Sequence, residues 1–143
     1  MGLDHQVIRT EPVDSVEEAA TARGVPLGAL VKSLVVRRGE DDYVFVLVPG
    51  DRAIDWAKLR SRLEARRLSL PDAAEAHAAT GYPRGAITPF GSSTSWPVIA
   101  DRALLDHAVV SVGGGAHGVS VTLDPRAMVA ALGADVADVT KAG

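Results

Sequence analysis

Apolar residues along this chain fall into short blocks with two different periods. Residues 30–38, "LVKSLVVRR", and 43–49, "YVFVLVP", are rich in β-branched residues, and "GEDD" separates them. That pattern predicts a β-hairpin ended by Pro49-Gly50. "HQVIR" (5–9), "WPVIA" (96–100), "HAVVSV" (107–112) and "GVSVTL" (118–123) read as further strands, with "LSL" (68–70) and "ADVADV" (134–139) as short additions. Elsewhere the spacing is helical. Trp56, Leu59 and Leu63 form one apolar stripe on a helix starting near Asp55. Ser15 and Glu18 make a capping box for a helix reaching Gly24, and Pro26 begins a turn or brief helical step. Asp72 and Glu75 repeat the capping logic for a helix ending near Gly81. Asp124 as N-cap, Pro125 at the first helical position and Gly133 as stop frame a last helix.

Several short strands with irregularly interspersed helices predict an α+β or mixed α/β fold, a curled mixed sheet or partial barrel with helices around it. Over 143 residues there is no repeat or linker, so the expectation is one domain, 1–143. Cysteine is absent, which excludes disulfides, a thiol nucleophile and cysteine-ligated metals. The four histidines show no metal spacing. No metal and no cofactor is expected. The N-terminus, "MGLDHQVIRTEPVD", carries acids early and no long apolar run, so neither a leader nor a membrane segment is expected and a cytoplasmic location fits. A net charge of −3 argues against broad duplex or DNA binding. Locally, Arg52, Lys58, Arg60, Arg62, Arg66 and Arg67 face only Asp55 and Glu64 across residues 52–67. This is a solvated helix face or a small phosphate-facing patch.

Three stretches carry candidate chemistry. "TGYPRGAITPFG" (80–91) packs Gly81, Pro83, Gly85, Pro89 and Gly91 together, which is either an ordinary connection or a backbone path built against a ligand. Lys32 is a lone charge among aliphatics on its strand. It is either a snorkelling lysine with its head in water or a cation at a pocket rim, set to meet a phosphate or carboxylate. "SVGGGAHG" (111–118) is a flexible hairpin loop or a nest of N–H groups suited to an anion, with His117 inside it. There is no serine elbow and no carboxylate pair for acid–base work.

Taken in order, these stretches resemble the YbaK/ProX-type domain, the editing domain associated with prolyl-tRNA synthetase. The likeness runs from "VEEAATARGVPLGALVKSLVV" to "ADVTK". The family's lysine matches Lys32, its G-x-x-x-P signature matches Gly85 to Pro89, and "TGY" matches Thr80-Gly81-Tyr82. An aspartate after a strand matches Asp101, and the late glycine pair matches Gly114-Gly115.

The resemblance implies a hydrolase that cuts the ester between a wrong amino acid and the tRNA 3′-terminal ribose. It implies catalytic positions at Lys32 and Gly85. Substrate contacts would come from Thr80, Gly81, Tyr82, Ile87, Thr88, Pro89, Asp101, Gly114 and Gly115, with His117 nearby. Lys32 would position and stabilise charge rather than act as a base. The partners implied are a misacylated tRNA acceptor end and a synthetase. Where the cysteine-removing branch carries a tyrosine and an aspartate, this chain has Thr10 and Ser120, so the amino acid stays open. A non-catalytic module docking a synthetase or acceptor end, and a nucleotide-binding regulator, are the alternatives.

Overall fold

The computed structural model describes residues 5–9, 16–81, 96–113 and 119–143. Its strands are β1 (His5–Arg9), β2 (Val31–Gly39), β3 (Asp42–Pro49), β4 (Arg52–Ile54), β5 (Val98–Asp101), β6 (Val110–Gly113), β7 (Val119–Leu123), β8 (Asp135–Ala137) and β9 (Thr140–Ala142). The helices are α1 (Val16–Arg23), α2 (Trp56–Leu63), α3 (Ala73–Thr80) and α4 (Pro125–Leu132), with 3-10 turns at Leu27–Ala29 and Arg102–Asp106.

β3 is the centre. It pairs antiparallel with β2 and parallel with β5, which pairs parallel with β8. Its side chains alternate between two cores. Tyr43, Phe45 and Leu47 join Val31, Val35, Val98, Val110, Val112 and Met128 on one face. Val44, Val46 and Val48 join Val36, Ile99, Leu59 and Val139 on the other. A strand buried on both sides must be apolar at every position, which is why "YVFVLV" shows no polar alternation. The second sheet, in the order β1-β7-β6, is antiparallel. An isolated parallel bridge, Leu30 to Ser111, joins it to the edge of β2. The result is a mixed sheet of both kinds of pairing wrapped by short helices.

The caps fall where the sequence expects them. Asp55 accepts from the Lys58 N–H, Asp72 from Glu75 and Asp124 from Arg126. Gly81 and Gly133 end their helices in the left-handed region. α2 ends differently, on Glu64 at φ 53°, with no glycine to mark it. Ser15 lies outside the described residues, so its capping box does too.

The differences are short elements. "ADVADV" is broken at Asp138-Val139, leaving β8, and β9 then pairs with β4. "LSL" contributes one bridge, Ser69 to Arg37. β4 and the 3-10 turn after Asp101 carry no periodic signal, because three to five residues are too few to display one. Among the described residues no helix is long and apolar enough to cross a membrane.

Candidate functional site

β2 carries Lys32 opposite Val48 of β3, on the face that Val36 and Val48 share. The surrounding aliphatics leave the side chain half-buried. Its ammonium donates to the Arg52 carbonyl at 2.6 Å. Burial holds its pKa below the usual lysine value, and the Asp51 carboxylate partly offsets that. The head is anchored to main chain, which uses one of three N–H donors and leaves two for another acceptor.

The bridge between Leu30 and Ser111 sets what lies beside Lys32. Extended two residues along, that parallel register would set the backbone of Gly113 level with Lys32. Gly113 in turn pairs with Ser120 of β7. The row therefore runs lysine, glycine, serine, with no side chain on the middle strand. Ser120 is 2% exposed, and its hydroxyl has no hydrogen-bond partner among the described residues. The next row pairs Ser111 with Thr122, whose buried hydroxyl is likewise unpaired. Arg23, from the end of α1, donates to the Ser111 hydroxyl at 3.3 Å, and burial lowers the guanidinium pKa. A buried polar strip thus adjoins Lys32, and polar groups left unsatisfied in a core are uncommon.

A second group was not legible in the sequence. Gly50 packs so closely on the 3-10 turn that a β-carbon there would stand 2.6 Å from the Leu27 carbonyl oxygen. A β-carbon on Gly28 would stand 3.1 Å from Asp51 Oδ2 and 3.2 Å from His107 Nε2. The Gly28 backbone therefore lies close to both a carboxylate and an imidazole, at the turn that precedes β2. Nothing in their local sequence context marks either side chain.

The remaining sequence-derived residues divide plainly. Asp101 is buried, and both oxygens are taken by main chain, Oδ1 by the Val139 N–H at 3.0 Å and Oδ2 by Ala103 at 3.2 Å. It fastens the β8–β9 link to the 3-10 turn. Thr80 is fully buried, with its hydroxyl on the Ala76 carbonyl, and Gly81 caps α3 with φ 81°. Tyr82, Gly85, Ile87, Thr88, Pro89, Gly114, Gly115 and His117 lie outside the described residues, as does Thr10. Beyond that stretch, Trp96 donates to the Ala79 carbonyl and packs edge-on against Tyr43 at 5.1 Å. Among the described residues no three histidine or acidic side chains converge as a metal site.

A mixed sheet carrying an anchored, half-buried lysine near a buried polar strip defines a mixed α/β fold. Comparison with known proteins makes the class specific. The model of the aminoacyl-tRNA editing domain family matches residues 10–131, and the chain belongs to that family. It is 25% identical over 126 residues to EbsC of Enterococcus faecalis, a protein assigned as a Cys-tRNA(Pro)/Cys-tRNA(Cys) deacylase, covering 88% of this chain and 77% of that one. It is 34% identical over 120 residues to the proline–tRNA ligase of Thermosipho africanus, covering 82% of this chain but only 21% of the ligase. A solved structure assigned to a trans-editing enzyme for prolyl-tRNA synthetase superposes with a TM-score of 0.89 at 30% identity, covering 96% of this chain and 87% of that one. The fold is thus the YbaK/ProX type that the sequence motifs imply.

Proposed function

We propose that the protein is a freestanding trans-editing hydrolase that removes a small amino acid from misacylated tRNA(Pro) or a related tRNA. The observation that carries this is the anchored, half-buried ammonium of Lys32 inside a chain of the editing family. An aminoacyl ester is already activated, so a catalyst needs chiefly to hold it, admit water and stabilise the oxyanion. Lys32 has two donors to spare for the terminal phosphate or the ester oxygens. Partial burial lowers its pKa, and Asp51 partly offsets that. Water adds to the ester carbonyl, the tetrahedral intermediate collapses, and the ribose oxygen leaves to give free amino acid and intact tRNA. Main-chain N–H groups of the two glycine-containing loops would meet the oxyanion. The ribose 2′-hydroxyl would help to carry the water's proton.

Ala79 and Trp96, which flank residues 82–95, meet beside Tyr43, five residues along β3 from the level of Lys32. At about 3.3 Å per residue that is roughly 17 Å, within reach of residues 82–95. Ser120 and Thr10, standing in for the residues of the cysteine-removing branch, favour a small side chain other than cysteine. The test is release of labelled amino acid from a panel of misacylated tRNAs, with Lys32→Ala as control. Turnover of at least one by the wild type and its loss in the variant are expected, and no turnover on any would refute the reading.

A further inference from the structure

α2 turns Lys58, Ser61 and Arg62 toward β8, and the 3-10 turn after Asp101 adds Arg102. Together they bound an open trough of about 760 Å³ with Val136 in its floor and Asp138 on its rim. Two of its cations are held in place. Lys58 is 3.0 Å from Asp138 and 3.1 Å from the Thr140 carbonyl, and Arg62 binds Asp135 through both carboxylate oxygens. These pairs are solvent-exposed, and such pairs contribute little stability, so a stronger anion can displace them cheaply. Arg60 on the same helix, and Arg66 and Arg67 just beyond it, are exposed and form no ion pair with a described residue. Residues 52–67 thus concentrate six cations against two carboxylates in a chain of net charge −3.

The trough is joined to Lys32 by a short chain of contacts. The Lys32 ammonium is on the Arg52 carbonyl, the Arg52 guanidinium is on the Thr140 hydroxyl at 2.6 Å, and the Thr140 carbonyl accepts from Lys58. Three cations thus follow one another from β2 across β4 to α2. The large apolar side chains exposed among the described residues, Val7, Leu70 and Val109, take no part in it. We infer that the trough bounded by Lys58, Arg62 and Arg102 seats the sugar–phosphate backbone of the acceptor stem while the 3′ end reaches Lys32. The inference rests on the proposed function for the identity of the nucleic acid, and its basis is charge complementarity. Few cations are involved, so contacts with two or three phosphates orient the stem without gripping a long duplex.

The test compares wild type, Arg62→Glu/Arg102→Glu and Asp135→Asn on a misacylated whole tRNA and on a misacylated CCA trinucleotide that has no stem. Binding of uncharged tRNA is followed by fluorescence anisotropy. The double variant should raise KM for whole tRNA roughly tenfold or more with kcat retained, and leave the trinucleotide rate unchanged. The slope of log kcat/KM against log salt should become shallower by about 1.5, the share of two lost phosphate contacts. Asp135→Asn frees Arg62 and should lower KM two- to threefold. Unchanged KM and tRNA affinity in the double variant, or an equal loss on both substrates, would overturn the inference. If the wild type deacylates neither substrate, the proposed function fails by itself. Anisotropy then decides the trough, with weaker tRNA binding by the double variant supporting it and equal binding refuting it.

Discussion

The ammonium of Lys32 sits 2.6 Å from the carbonyl oxygen of Arg52, the residue that opens β4. A strand residue is thereby tied to a neighbouring strand through main chain, and its charge is held at one point. Lys32→Arg keeps the charge but not this compact geometry, whereas Lys32→Met keeps the stem alone. Both should lower kcat/KM for deacylation by about two orders of magnitude, the scale of losing a fixed electrostatic contact at a developing oxyanion. Steady-state kinetics on one responsive misacylated tRNA measures this. Retention of activity in Lys32→Met would remove the charge from the mechanism.

A pH dependence follows from the direction of the Lys32 shift. Burial lowers the folded-state pKa, so the ammonium loses its proton below the ordinary lysine value of about 10.4. Binding of a non-hydrolysable amide analogue of the aminoacylated end should weaken on that alkaline limb, and Lys32→Arg should not show it. Asp51 is the group that raises this pKa, so Asp51→Asn should move the midpoint lower still. The unfolded chain binds more protons than the native one between the depressed pKa and the ordinary value. Stability attributable to Lys32 therefore rises with pH across that window, and the penalty is fully present below it. An upward shift in Asp51→Asn would contradict the assigned field.

Asp101 gives a stability prediction. Its carboxylate accepts from Val139 and Ala103 in the interior, and Asp101→Ala strands both N–H groups. The expected loss is about 1–3 kcal/mol by urea unfolding. A variant as stable as the wild type but inactive would show instead that Asp101 serves the ligand.

Ser120 should behave in the opposite sense. Its hydroxyl is buried and unpaired among the described residues, so Ser120→Ala is expected to leave stability unchanged or raise it by about 1 kcal/mol. The same variant should alter which amino acids are released, since the hydroxyl lies across Gly113 from Lys32. A stability loss above about 1 kcal/mol would mean that the hydroxyl is satisfied in the native protein.

Gly50 tests the packing that sets Asp51 in place. A β-carbon there would approach the Leu27 carbonyl oxygen to 2.6 Å, so main chain must shift to admit it. Gly50→Ala is expected to cost about 1–3 kcal/mol and to raise KM through Asp51 and Lys32. An unperturbed melting temperature would contradict this.

Much of the fold was legible because its signals are local. A hairpin of β-branched residues, the caps Asp72 and Asp124 and the glycine stops Gly24, Gly81 and Gly133 each act within a few residues of themselves. Lys32 was legible for a different reason, as the single charge within the largely aliphatic residues 30–36. What stayed hidden depends on long-range contact. Asp51 and His107 both approach the backbone of Gly28 only because it has no side chain. The link from Lys32 through Arg52 to Thr140 spans more than a hundred residues of chain. The two main-chain partners of Asp101 could not be foreseen from an aspartate at a strand's end. The basic run 52–67 showed its charge in the sequence but not the trough, which needs Arg102 and β8 to complete it.

The most direct measurement of the central claim is deacylation of a misacylated tRNA panel by wild type and Lys32→Ala protein, each corrected for spontaneous ester hydrolysis. The account predicts that the wild type releases at least one small amino acid well above the blank, with Lys32→Ala reduced by about a hundredfold. Equal rates for the two proteins, or a wild type no faster than the blank on every substrate, would contradict it.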